Sequence, residues 1–267
     1  MLRIAFAYSL SFAVGAFIAA VTLPFAVHAE SVGPTCDAPF SMIRFTNPLS
    51  HIAARLRNGK PITIVAIGSS STAGAGASSE ASTYPSRLAF ELRQRFPGHP
   101  ITVLNRGVGG EEVRDMLNRF DTDVIAAKPD LVLWQLGTNS VIRNDNLTDK
   151  DAAIREGLAK AHAIDADVVL IDPQFAPKVI EKPDAVHMVE LIASTAKHNG
   201  INLFPRFDVM KRWHDIDHMA FKTFLSPDEL HMNDWSYGCF AKALGVAIFE
   251  AAQRPMLSAT AAPHVVQ

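Results

Sequence analysis

The sequence predicts an α/β chain, a three-layer α/β/α sandwich built on a mostly five-stranded parallel sheet. Two observations carry that prediction. Five short runs rich in β-branched and other apolar residues recur along the chain, and amphipathic helical patterns fill the stretches between and after them. Strand and helix alternate strictly, which implies right-handed crossovers between parallel neighbours.

Taken in order, "ITIVAIG" (62–68), "ITVLN" (101–105), "DLVLWQLG" (130–137), "DVVLID" (167–172) and a weaker "INLF" (201–204) read as strands. Their apolar character is nearly continuous rather than alternating, as expected where helices cover both faces of a sheet. "YPSRLAFELRQRF" (84–96), "EEVRDMLNRF" (111–120), "DAAIREGLAKAHAI" (151–164) and "DAVHMVELIASTAKH" (184–198) read as helices, with a last one from about Trp235 to Gln253. No internal repeat and no long Pro- or Gly-rich linker divides residues 30–267, so a single domain is expected there.

Residues 1–29 stand apart. Arg3 is their one charge, an apolar run extends from Ile4 through Phe25, and "VHA" (27–29) offers the small-residue pattern of a cleavage site. A signal peptide is expected, with a mature chain beginning near Glu30 in the periplasm or outside the cell. The alternative is an N-terminal membrane anchor, which Ser9, Ser11, Thr22 and Pro24 weaken as a spanning helix. Losing Arg3 takes the formal net charge from −2 to −3, so no basic surface is offered to phosphate backbones and nucleic acid is not expected as a partner. Cys36 and Cys239 are the two cysteines. In an oxidising compartment they are expected to pair, the alternative being two separate buried thiols. Two cysteines at such a distance do not make a metal site.

Open parallel sheets collect ligands beyond the carboxyl ends of their strands. Those ends are Gly68 to Thr72, Asn105 to Glu112, Gly137 to Ser140 and Asp172 to Gln174. Phosphate binding fits poorly: "GSSSTAGAG" (68–76) lacks the lysine of a nucleotide loop, and "GVGGEE" (107–112) has Glu112 where a dinucleotide fingerprint needs its third glycine. Acyl transfer fits better. It requires a hydroxyl nucleophile, a base, a group that orients the base, and donors for the oxyanion. A serine in the turn after the first strand supplies the first. In "PDELH" (227–231), Asp228 and His231 have the spacing that puts two side chains on one face of a helical turn. "DIDH" (215–218) competes, since Asp215 and His218 share that spacing and His214 and His218 stand at the i, i+4 spacing of a metal pair; a solvated helix face or loop is the plainer reading of them.

Order along the chain breaks the tie. "GSSSTAG" (68–74), "NRGVGG" (105–110), "GTN" (137–139) and "DELH" (228–231) together resemble the four sequence blocks of the SGNH hydrolases, the GDSL esterase and lipase family. The resemblance runs from Gly68 to His231. It implies a flavodoxin-like fold and a serine esterase needing no metal or organic cofactor. Aligned with the first block, Ser70 is the nucleophile and Ser69 stands where the family usually has Asp. The second block matches through Asn105 and Gly110, whose backbone amide would donate to the oxyanion together with that of Ser70. In the third, Asn139 would donate its side-chain amide, and Ser140 replaces a frequent Asp. The fourth gives Asp228 and His231 their roles as orienting group and base. Plainer readings are a positive-φ glycine at 110, a turn residue at Asn139 and a surface histidine at 231.

Export and family analogy point to an acylated envelope or extracellular glycan, such as one carrying O-acetyl groups. Gln174, Tyr84 and Trp235 are candidate substrate contacts, and Trp134 could also stack on a sugar, although aromatics near strand or helix starts, as Tyr84, Trp235 and Trp134 are, more often serve as core anchors. No long apolar insertion is present to build an acyl-chain pocket. Lipid or thioester hydrolysis, acyl transfer to a sugar hydroxyl, and a noncatalytic glycan-binding scaffold are the alternatives.

Overall fold

The computed structural model describes residues 35, 36 and 38–260. The expected signal peptide lies outside these residues. From Cys36 onward the described chain forms one compact unit.

Five parallel strands make the sheet: β1 (Ile62–Gly68), β2 (Ile101–Gly107), β3 (Leu131–Gln135), β4 (Asp167–Ile171) and β5 (Asn202–Phe204). Their order is β2-β1-β3-β4-β5. Register is fixed around β1, where Ile64 faces Val103 on one side and Leu131 on the other. The apolar runs occupy the middle of the sandwich: Ile64 to Ile67, Leu131 to Trp134 and Val168 to Ile171 are all buried, whereas edge strand β2 leaves Thr102 and Arg106 exposed. The chain leaves β1 for β2 on one side and later returns to β3 on the other. That reversal opens a crevice beyond the carboxyl ends of β1 and β3.

Helices Tyr84–Arg95, Val113–Asn118, Lys150–His162, Ala185–His198 and Asp234–Thr260 correspond to the five expected. The second starts later than its sequence pattern because Glu112 is extended and caps it. Glu112 and Asp115 form a reciprocal capping box, each side chain bonded to the other's backbone N–H. Two helices of eight or more residues escaped the periodicity, Ser50–Arg57 and Arg206–Asp215, as did several single turns and the short helix Thr138–Arg143. The last helix packs on the Tyr84 helix and the sheet, with Phe240 edge-on to Tyr84 at 4.9 Å and to Phe204 at 5.0 Å between ring centroids.

The expected disulfide is present. Cys36 and Cys239 are joined with Cα atoms 5.0 Å apart, closing a separation of 203 residues and tying the start of the described chain to its last helix. A cross-link over so long a loop restricts the unfolded chain and contributes roughly 2–5 kcal/mol of stability. Among the described residues, no helix is long and apolar enough to cross a membrane.

Candidate active site

β1 ends at Gly68, and the chain bends at Ser69 into a single helical turn, Ser70–Ala73. The bend is tight enough that a Cβ on Gly68 would lie 2.2 Å from Thr72 Oγ1 and 2.8 Å from Gln135 Oε1. Gln135, at the end of β3, ties the turn down: its Oε1 accepts from Ser69 N–H (2.9 Å), Ser69 Oγ (3.0 Å) and Thr72 Oγ1 (3.3 Å). Ser69 is therefore a buried donor. An ionised Asp in its place would face the same oxygen without a proton to offer. Ser71 and Thr72 are also buried, at 1% and 0% exposure, while Ser70 is partly open to solvent. Of the four consecutive hydroxyls, Ser70 is the one presented outward.

The residues around Asp228 and His231 form a loop, not the expected helical turn. An antiparallel bridge between Leu225 and Met232 closes it, with Ser226 N–H donating to His231 O at 2.8 Å and Glu229 in the left-handed region at φ 57°. The i, i+3 spacing still works because the carboxylate itself folds the loop. Asp228 Oδ1 accepts from Ser226 Oγ (2.6 Å) and from the backbone N–H groups of Leu230 (3.0 Å) and His231 (2.9 Å). Its Oδ2 meets His231 Nδ1 at 2.5 Å, and His231 Nε2 lies 2.8 Å from Ser70 Oγ. Burial works to raise the Asp228 pKa, but the hydrogen bonds from His231, Ser226 and the two backbone amides outweigh it and hold the carboxyl well below the usual range.

Gly76 joins the two loops. It sits at φ 86°, and a Cβ there would be 2.3 Å from Met232 O and 3.0 Å from His231 Cβ. Tyr237 helps to fix the same segment by donating its hydroxyl to Ala75 O at 2.7 Å.

Beyond β2 and β3 lie the expected oxyanion donors. Gly110 adopts φ 81°, and the neighbouring Gly109 is close enough that a Cβ on it would stand 4.0 Å from Ser70 Cβ. Asn139 donates one side-chain N–H to Glu111 O at 2.8 Å, which leaves its second N–H available. Asn105 has a local task, its Oδ1 accepting from Gly107 N–H at 2.9 Å. Ser140 donates to Glu112 Oε2 at 3.1 Å.

Two expected contacts, Tyr84 and Gln174, change place. Tyr84 is fully buried, edge-on to Phe240 with its hydroxyl 3.2 Å from Thr72 Oγ1, so it buttresses the turn from inside rather than stacking on a sugar. Gln174 is also fully buried, accepting from Thr138 Oγ1 (2.8 Å) and donating to Leu230 O (3.3 Å); it links the segment after β4 to the loop that carries Asp228 and His231. Trp235 is half-buried and packs edge-on against Trp213 at 5.2 Å, and Trp134 is in the core. In the competing "DIDH", Asp215 interacts with His214 Nδ1 (2.8 Å) and Lys211, the His214 ring stacks on Phe221 at 4.3 Å, and His218 takes a left-handed conformation, φ 54°. Among the described residues, no group of three or more His, Cys, Asp or Glu converges as a metal site would.

Set against known proteins, residues 35–254 match the model of the non-GDSL lipase-like family. An acetylxylan esterase of Geobacillus stearothermophilus is 43% identical over 56 residues, which is 21% of this chain and 26% of that protein. A solved acetylxylan esterase from Geobacillus stearothermophilus superposes with a TM-score of 0.60 at 20% identity, covering 70% of this chain and 94% of the other. Three solved variants of that esterase, each described as a catalytic mutant, replace a Ser, an Asp and a His, the Asp preceding the His by three positions. A two-domain esterase active on acetylated mannans gives a TM-score of 0.68 at 17% identity, covering 81% of this chain and 57% of that one. A putative lipolytic protein of the G-D-S-L family from Desulfitobacterium hafniense gives 0.60 at 23% identity, over 69% of this chain and 98% of the other.

Proposed function

The chain belongs to the non-GDSL lipase-like family, and from that premise we propose that it is a serine esterase that removes short acyl groups, acetyl first, from an exported or extracellular glycan. One observation carries the chemistry. Ser70 Oγ, His231 and Asp228 form a continuous hydrogen-bonded relay, 2.8 Å and 2.5 Å between heavy atoms, at the crevice where strand order reverses.

Ser70 Oγ attacks the ester carbonyl while His231 Nε2 takes its proton; the Oγ–C bond forms and the carbonyl pair moves onto oxygen. Backbone N–H groups of Ser70 and Gly110 and the free N–H of Asn139 receive that negative charge. Each such donor is worth about 3 to 4 kcal/mol of barrier. As the tetrahedral centre collapses, the leaving alkoxide receives the proton from His231. Water then repeats the sequence on the acyl-enzyme and releases the acid. Asp228 fixes the imidazole tautomer and stabilises its protonated form throughout. Because its carboxyl is held well below the usual range, Asp228 stays ionised in mildly acidic solution and is not the group whose protonation ends activity first.

Acetyl as the acyl group rests on the activities named for the Geobacillus and mannan-active esterases. Export rests on the apolar run and cleavage pattern in residues 1–29.

The test is hydrolysis of chromogenic esters of increasing acyl length and of acetylated xylan and mannan, with Ser70→Ala in parallel. Expected are a preference for acetate, free acetate released one for one with the alcohol, and no turnover above background by the variant. Equal rates with and without the Ser70 hydroxyl contradict the proposal, and a preference for long acyl chains contradicts its substrate.

A further inference from the structure

We propose that Arg143 is a positioning residue of the oxyanion hole, locking the loop that carries Gly110 to the helix that carries Asn139. The inference rests on the esterase reading above. Asn139 and Arg143 lie four residues apart in the helix Thr138–Arg143, which begins three residues after Gln135, the last residue of β3. From that one element the Gly110 loop is gripped at consecutive points. Arg143 Nη2 donates to Gly110 O at 2.8 Å, Asn139 Nδ2 to Glu111 O at 2.8 Å, and Ser140 Oγ to Glu112 Oε2 at 3.1 Å. Arg143 Nη1 also meets Glu112 Oε1 at 2.6 Å, and Lys150 Nζ meets Glu112 Oε2 at 2.8 Å.

The guanidinium thus spans a backbone carbonyl of the loop and the carboxylate that ends it, a fork geometry that lysine cannot reproduce. The Arg143 side chain is about half exposed (49%). An ion pair so open to solvent adds little to global stability. Its structural consequence is local: the orientation of the peptides on either side of Gly110, and hence the direction of the Gly110 N–H relative to Asn139. Preorganised direction is what an oxyanion hole contributes to rate, since the donors must already point where charge develops. Glu112 is ionised in neutral solution. Burial works to raise its pKa, but the hydrogen bonds it accepts from Lys150 and Arg143 outweigh this and bring it down to about 2.

A positioning role separates from a merely structural one in the kinetics. For Arg143→Ala, kcat on a chromogenic acetate ester is expected to fall about 10- to 100-fold with KM nearly unchanged, as for a misplaced donor. Inhibition by a boronic acid, whose tetrahedral adduct on Ser70 uses the same donors, should weaken by a similar factor. Millimolar guanidinium should restore part of kcat in Arg143→Ala and nothing in wild type, with the thermal midpoint measured alongside. Arg143→Lys should fall in between, and it carries the test should the alanine variant not fold. A kcat within about twofold of wild type in Arg143→Ala or Arg143→Lys, or a loss confined to KM, overturns the proposal. No turnover by the wild-type protein overturns the esterase reading and this inference with it.

Discussion

His231→Ala is expected to lower kcat on an acetate ester by roughly 10,000-fold to a million-fold, whereas His218→Ala leaves it within a factor of about two. The two histidines share their relation to an Asp three positions earlier, so sequence spacing treats them alike. Their surroundings do not. His231 is held on one nitrogen by Asp228 and presents the other to Ser70 at 2.8 Å. His218 is in a left-handed turn after the Arg206–Asp215 helix, and the carboxylate of Asp215 is engaged by His214 and Lys211 instead. Without an imidazole at 231, the Ser70 proton has no acceptor in the attacking step, and the leaving alkoxide has no acid. Kinetics of both variants on one substrate check the assignment; the reverse pattern would show that the base had been misidentified.

Gly76→Ala is the second large effect, expected to reduce kcat by about 100-fold without removing any catalytic group. The clash at this position is with backbone: the new Cβ would stand 2.3 Å from Met232 O and 3.0 Å from His231 Cβ. A backbone carbonyl cannot swing aside as a flexible side chain can, so the two loops must separate, and the His231–Ser70 hydrogen bond lengthens with them. Left-handed φ adds strain of its own. Gly59 provides the control. It has φ 60°, and a Cβ added there would meet nothing within 4 Å, so Gly59→Ala imposes the backbone strain without the collision. Gly59→Ala should cost about 1 kcal/mol of stability and leave kcat alone. If Gly76→Ala behaves like Gly59→Ala, the contact between the loops does not set the geometry of the base.

The sheet was legible because the central strands are nearly continuous apolar runs, and burial on both faces leaves little else for such a run to be. Ser50–Arg57 and Arg206–Asp215 were harder. The second begins with Arg206, a charged residue at 1% exposure that the tertiary fold buries beside Asp172, and such a residue spoils the amphipathic pattern. The motif blocks placed Ser70, Asp228 and His231 within hydrogen-bonding reach of one another, yet they misjudged the local structure around the last two. Spacing of three suggests a helix, and here a carboxylate capping two backbone amides produces the same proximity in a loop. Tyr84 and Gln174 were misplaced for a related reason. A polar group at a strand or helix terminus near the crevice can face the ligand or brace the loops from beneath, and only burial distinguishes the two. Gln135, Glu112 and Arg143 belong to no sequence block. Gln135 did leave a trace, a lone amide at the end of an otherwise apolar strand. The partnership of Glu112 with Arg143 spans 31 residues and has no periodic signature.

The central claim, that Ser70 is the hydroxyl activated by His231, is tested most directly by mapping where a serine-directed fluorophosphonate reacts. One adduct per chain on the peptide containing Ser70 is expected in the wild type, with no adduct in His231→Ala over the same interval. An adduct on Ser69 or Ser71, or full esterase activity after Ser70 has been labelled to completion, would contradict it.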